Sequence, residues 1–165
     1  MHWLVGDLSI LFFFYMVQAY LIIATGVQLF NLKVNPKKLL LSVVISGLAI
    51  WLVRLLYVSF KLSLGTHTLV LLIALTLIIK MILKINFNYS LGITLSTFCL
   101  TMLGSGIAGY ISNINHISLE YVINNVWLHI LFGQIENMLL IIVLVISKKF
   151  DFHVFKPFEG KDYEI

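Results

Sequence analysis

The chain has 165 residues, 61% of them hydrophobic and 11% charged, with a formal net charge of +4. An ordinary soluble domain is about 45–50% apolar and about 25% charged, so most of this chain is built to face lipid. At roughly 20 residues per bilayer-crossing helix the length holds about four to six spans with realistic loops, which excludes a kinase, a nucleotide-binding ATPase or a DNA-binding domain folded in water within it.

The first apolar run, LSILFFFYMVQAYLIIATGVQLF (residues 8–30), carries no charge. It is longer than the roughly 7–15 residues of a signal-peptide core, and no Lys or Arg precedes it, so it is expected to be a retained first span. The stretch NLKVNPKK (31–38) combines turn residues, a proline and three lysines, and predicts a short loop. A second span follows at 39–60, interrupted only by Arg54, the one arginine of the chain. The third, 66–83, carries Lys80 near its end, where a long stem reaches the headgroups. KINFNYS (84–90) turns the chain into a fourth span at 91–111, rich in small residues. A polar loop at 112–125 has room for a short interfacial helix in ISLEYVINN, the fifth span covers 126–147, and residues 148–165 form a mixed-charge tail.

The expected fold is therefore all-α: an integral membrane bundle of five transmembrane helices over residues 1–147, with a cytosolic tail at 148–165. The basic residues orient it. With the N-terminus outside, nine of the eleven Lys and Arg fall on the cytoplasmic side and only Arg54 and Lys61 outside, as the positive-inside rule asks of short loops. This places the protein in the cell membrane as a multi-pass protein with its C-terminus in the cytosol. Basic residues that sit at span boundaries form no stripe interleaved with exposed aromatics, so nucleic acid is not an expected partner.

Glu136 lies near the middle of the fifth span, where a charged side chain costs about 2.5–3.5 kcal/mol on insertion scales. Such a carboxyl faces the bundle interior or a watery cavity, or carries a proton. His129, Gly133, Glu136 and Asn137 fall within about 100° of one another on a helix, with Leu140 continuing the stripe. That polar face is either a ligand- or proton-sensing site or a set of hydrogen-bonding groups that glue helices together. Arg54, about six residues from the outer end of its span, either snorkels to the surface or pairs with Glu136 across the bundle. Thr97, Thr101, Ser105 and Gly109 repeat every fourth residue on the fourth span, with Gly104 and Ala108 alongside. They read as a helix-packing seam, or else as a hydroxyl-lined groove. The single cysteine, Cys99, and His67 are the pair that best imitates a Cys/His nucleophile, but Cys99 is mid-span with no basic neighbour while His67 is in a loop. No metal spacing, paired acids or phosphate loop occurs, so no catalytic residue, cofactor or metal is expected.

The run WLVRLLYVSFKLSLGTHTLVLLIALTLIIKMILKINFNYSLGI, residues 51–93, resembles the multispan N-terminal sensor region found ahead of the ATP-binding domain in some Firmicute sensor histidine kinases. Arg54, Leu55 and Leu56 match an Arg-Leu-Leu near the end of one helix, His67 and Thr68 a His-Thr opening the next, and Lys84, Ile85 and Asn86 a Lys-Ile-Asn-like turn. The similarity covers about a quarter of the chain, and no phosphoacceptor helix or ATP-binding domain accompanies it, so kinase activity is not implied. What it implies is a bacterial membrane sensor or regulatory protein in signal transduction, acting through a separate membrane or cytosolic partner or a second copy of itself. A small transport component, such as a substrate-binding subunit with the polar face of the fifth span as its site, is the alternative.

Overall fold

The computed structural model describes residues 8–60 and 66–154. Among them all regular structure is helical: α1 (Leu8–Leu29), α2 (Pro36–Ser59), α3 (Thr66–Leu83), α4 (Phe87–Ile114), the short α5 (Leu119–Asn124) and α6 (Val126–Phe150). All but α5 are long and apolar enough to cross a bilayer. The chain is a multi-pass membrane protein built as an all-α bundle. Its outer faces carry exposed Leu48 and Leu52 on α2, Ile73 and Leu77 on α3, and Ile141 and Val145 on α6, positions suited to lipid rather than water.

The helices overrun the apolar segments. Pro36, Lys37 and Lys38 form the first turn of α2 rather than a loop, because Pro at the first helical position loses an N–H that has no partner anyway. Asn35 caps that turn, its Oδ1 accepting from the Lys37 backbone N–H at 2.9 Å. Similarly α4 takes in Phe87 to Ser90 at one end and Ser112 to Ile114 at the other, and α6 continues through Lys148 and Lys149 to Phe150. The expected interfacial helix is α5, capped by Ser118, and Asn125 caps α6. Just beyond α1, α3, α4 and α6 stand Asn31, Lys84, His116 and Asp151, each at a positive φ that reverses the chain sharply. Loop residues 61–65 and tail residues 155–165, the latter including Lys156 and Lys161, lie outside the described residues.

α1 is the central helix: two-thirds of its span is buried inside the bundle, against about a third or less for each of the others. It packs on α2, α4 and α6, while α2–α3, α3–α4 and α4–α6 contacts close the bundle around it. Its inward side chains, Ile10, Phe14, Tyr15, Ala19, Ile22 and Ile23, meet Ile50, Leu75, Ile79, Ile93 and Leu140 in one core. Three buried hydroxyls bond within their own helices: Thr76, Thr94 and Thr97 each donate to the carbonyl four residues back, whereas those of Ser42, Ser46 and Ser147 are buried without a partner. Two hydroxyls bond between helices, Ser90 to the Thr76 carbonyl and Thr25 to the Leu140 carbonyl at 3.3 Å.

Candidate functional site

The first helix is not a regular α-helix throughout. Residues Leu11–Tyr15 form a π turn, in which the Met16 N–H bonds to the Leu11 carbonyl five residues back. Such bulges change the register of the side chains and are frequent at functional sites. Here the bulge turns both Phe14 and Tyr15 into the interior, each 1% exposed, with their rings stacked 4.8 Å apart. Gln134 of α6 supports it by donating from Nε2 to the Phe13 carbonyl at 2.6 Å.

Arg54 comes from α2 onto this aromatic pair. Its guanidinium carbon lies 5.3 Å from the Phe14 ring centroid and 5.2 Å from that of Tyr15, within cation–π range of both. The side chain is neither snorkelled away nor in an ion pair: among the described residues no carboxylate stands within 4 Å of it, and its Nε is buried without a hydrogen-bond partner. The reason is helix order. α1 stands between α2 and α6, so the direct Arg54–Glu136 pairing that a two-helix contact would allow meets the Phe14 and Tyr15 rings instead.

On the far side Phe14 presses against Gly133, where a Cβ would come within 2.5 Å of the ring, so only glycine lets the aromatic seat there. His129, one turn earlier on α6, lies 5.7 Å from the Phe14 ring and 6.5 Å from Tyr15, edge-on to the latter. Glu136 is three residues beyond Gly133, about 4.5 Å further along the helix axis. Arg54 of α2, His129 and Glu136 of α6 and Ser105 of α4 share one wall.

These groups surround one cavity of about 720 Å³, in the half of the bundle that carries α5. Its wall takes Tyr15, Gln18 and Ile22 from α1, Arg54 and Tyr57 from α2, and His67 and Leu71 from α3. Phe98, Thr101, Ser105 and Gly109 of α4, Val122 of α5, and His129, Phe132 and Glu136 of α6 complete it. The size is that of pockets that hold small organic molecules, and the mostly apolar wall with a few convergent polar groups has the same character.

Of the residues singled out in the sequence, Arg54, His129 and Glu136 meet at this cavity from two helices, and Thr101, Ser105 and Gly109 line it from a third. Asn137 does not reach it. That side chain is fully buried in helix packing, and neither its amide oxygen nor its nitrogen has a partner. Thr97 is likewise buried outside the cavity. The buried edge of α4 takes in Thr97, Gly104 and Ala108, the last of which also borders the cavity. His67, in the first turn of α3 rather than in a loop, lines the cavity beside Tyr57, their rings 5.8 Å apart, whereas Cys99 is exposed on another face of α4 and is absent from the cavity wall. Among the described residues no three His, Cys, Asp or Glu cluster closely enough to hold a metal ion.

Phe14, Tyr15, Gln18 and Tyr57 were not foreseen from the sequence. Gln18 had a visible signal, as one of only two amides in an otherwise apolar first span. The aromatic pair had none, because the π turn that directs both rings inward leaves no trace in the hydrophobic pattern. Comparison of the chain with protein-family models, curated proteins and solved structures finds no match.

Proposed function

We propose that the chain is a membrane-embedded sensor, which holds a small ligand in the cavity and reports it through α1 to the C-terminal segment, where a separate signalling protein reads it. One observation carries the proposal: the same central helix lines the cavity at one end and receives the tail at the other. Phe14, Tyr15, Gln18 and Ile22 face the cavity. At the opposite end the Gln28 carbonyl accepts from His153 Nδ1 at 2.9 Å and the Leu29 carbonyl from the Val154 N–H at 2.9 Å, while His153 Nε2 lies 3.1 Å from Asp151 Oδ1. A shift of α1 of 1–2 Å, the usual scale of helix movements in switching proteins, acts directly on those tail contacts.

Two further points support this reading. The segments that resemble kinase sensor regions supply Arg54, His67 and Thr68 to the cavity wall. Lys33, Lys37, Lys38, Lys80, Lys84, Lys148 and Lys149 all belong to the end that carries the tail, so the positive-inside rule puts that end in the cytosol and the cavity toward the outside. A transport subunit would use the same cavity, but that reading draws nothing from the tail contact.

Gly109 provides the test. It lines the cavity, and nothing lies within 4 Å of a Cβ built there; Gly106 is equally open but stands outside the cavity. Gly109→Trp therefore fills the cavity from within the chain, and Gly106→Trp is its control. In a Cys99→Ser background with Val154→Cys, the maleimide-labelling rate in lipid nanodiscs should change about threefold or more with Gly109→Trp and stay at the parental value with Gly106→Trp. Equal rates in all three proteins refute the coupling and leave the transport reading.

A further inference from the structure

Resting on the reading that the cavity holds a ligand, we infer that this ligand is a zwitterionic amphiphile, whose anionic group bonds to Arg54, whose primary ammonium bonds to Glu136, and whose apolar body lies against the aromatic wall. Three features of the wall select that chemistry. Arg54 is held in place by two rings yet has no carboxylate within 4 Å among the described residues, and its Nε has no partner, so a fork of donors is fixed and unspent. Gln18, 2% exposed, lines the cavity with an Oε1 that lacks a donor. Glu136 provides a carboxyl in the same wall, from a different helix than Arg54.

The cavity thus offers donors from α2 and acceptors from α1 and α6 in one mostly apolar wall. A purely anionic ligand would satisfy Arg54 and be repelled at Glu136; a purely cationic one would do the reverse. Each would leave a charge without its counter-charge in a mostly apolar wall, which is the costly outcome for a poorly solvated ion. Only a molecule bearing both charges neutralises both residues. Two sources carry this chemistry: a free α-amino acid with an apolar side chain, and the headgroup of an aminophospholipid.

The experiment uses the full chain in nanodiscs of phosphatidylcholine and phosphatidylglycerol, so that no lipid present carries a primary ammonium. In the soluble arm, L-phenylalanine and L-leucine are titrated against 3-phenylpropionate and phenethylamine, each of which keeps one charge of phenylalanine. In the lipid arm, native mass spectrometry compares retention of phosphatidylethanolamine with that of the two nanodisc lipids. Binding of an amino acid at least about tenfold tighter than either single-charge analogue supports the inference and assigns a soluble ligand. Selective retention of phosphatidylethanolamine supports it and assigns the headgroup. In either case Arg54→Gln and Glu136→Gln should each remove the preference, and Gly109→Trp should remove binding. Analogues that bind as tightly as the amino acid, and lose binding with Gly109→Trp, overturn the zwitterion while the cavity remains a ligand site. Absence of a zwitterion preference in both arms overturns it as well, and because the analogue series uses the unaltered protein, that outcome does not depend on any variant folding.

Discussion

Substitution of Gly104 by alanine tests the packing that shapes the site. α4 and α6 share one of the two most extensive helix–helix contacts in the bundle, and Gly104 is a point of close approach within it. A Cβ at that position would lie 2.0 Å from the Glu136 carbonyl oxygen, 2.8 Å from its carbonyl carbon and 3.1 Å from its Cα. All three atoms are backbone, so no side-chain rotation relieves the clash. An ordinary contact returns only when the two helices part by about 1 Å or more, a gap at which neighbouring atom pairs forfeit about a quarter to a half of their dispersion energy. Where lipid removes the hydrophobic drive between helices, that close packing is the main attraction left, and overpacking of this kind costs about 1–3 kcal/mol.

The control is on the same helix. Gly106→Ala meets nothing within 4 Å and replaces a poor helix former, a change worth up to about 1 kcal/mol in favour of the variant. The two alanine variants should therefore differ by about 2 kcal/mol or more in equilibrium unfolding in mixed micelles, with Gly104→Ala the weaker. Because the displaced backbone is that of Glu136 itself, Gly104→Ala should also weaken whatever ligand the cavity binds. Equal stability of the two variants would refute the geometry of the α4–α6 contact.

Asn137 should tolerate loss of its amide. Its side chain is fully buried with neither polar atom bonded, so Asn137→Leu is expected to match the parent or gain about 1–3 kcal/mol in the same unfolding assay, and a loss of that size would show that the amide has a partner. Orientation is open to cysteine labelling in intact cells: in a Cys99→Ser background Ser118→Cys, the cap of α5, should react with an impermeant maleimide and Val154→Cys should not, and the opposite pattern would invert the bundle.

The five-span bundle was legible because lipid imposes a coarse rule on composition, whereas the ends of the helices answer to local chemistry that hydropathy ignores. Pro36 looks like a breaker in a lysine-rich loop, yet it opens α2 because Asn35 caps the turn. The polar residues at 87–90 and 112–114 continue α4 past the apolar limit of its span. For the site, the one-face pattern of His129, Gly133 and Glu136 was enough to select α6. The fate of Arg54 was not legible, since helix neighbours decide it and nothing in one sequence places α1 between α2 and α6. The fourth span shows the same limit at finer grain. Gly104 and Ser105 are adjacent in the chain and about 100° apart on the helix; one is pressed against a backbone and the other faces the cavity, a division set by where α6 lies.

The two halves of the bundle differ in a way that explains why a cavity exists at all. Toward the tail, α1 presents small side chains: Gly26 sits so close to Ile93 of α4 that a Cβ there would overlap its methyl group, and Thr25 bonds across to Leu140 of α6. Toward α5, the same helix presents Phe14 and Tyr15 from its π turn, while the facing positions on α4 shrink to Ser105 and Gly109. Large rings wedge α2 and α6 apart at the level where α4 has little to fill the gap. Close packing on one side of α1 and a wedge on the other leave a hollow that helices of this stiffness cannot collapse into without unseating the rings. It is also the place where Arg54 can be held by aromatic faces rather than by a carboxylate, so the element that opens the cavity is the one that keeps its cation available.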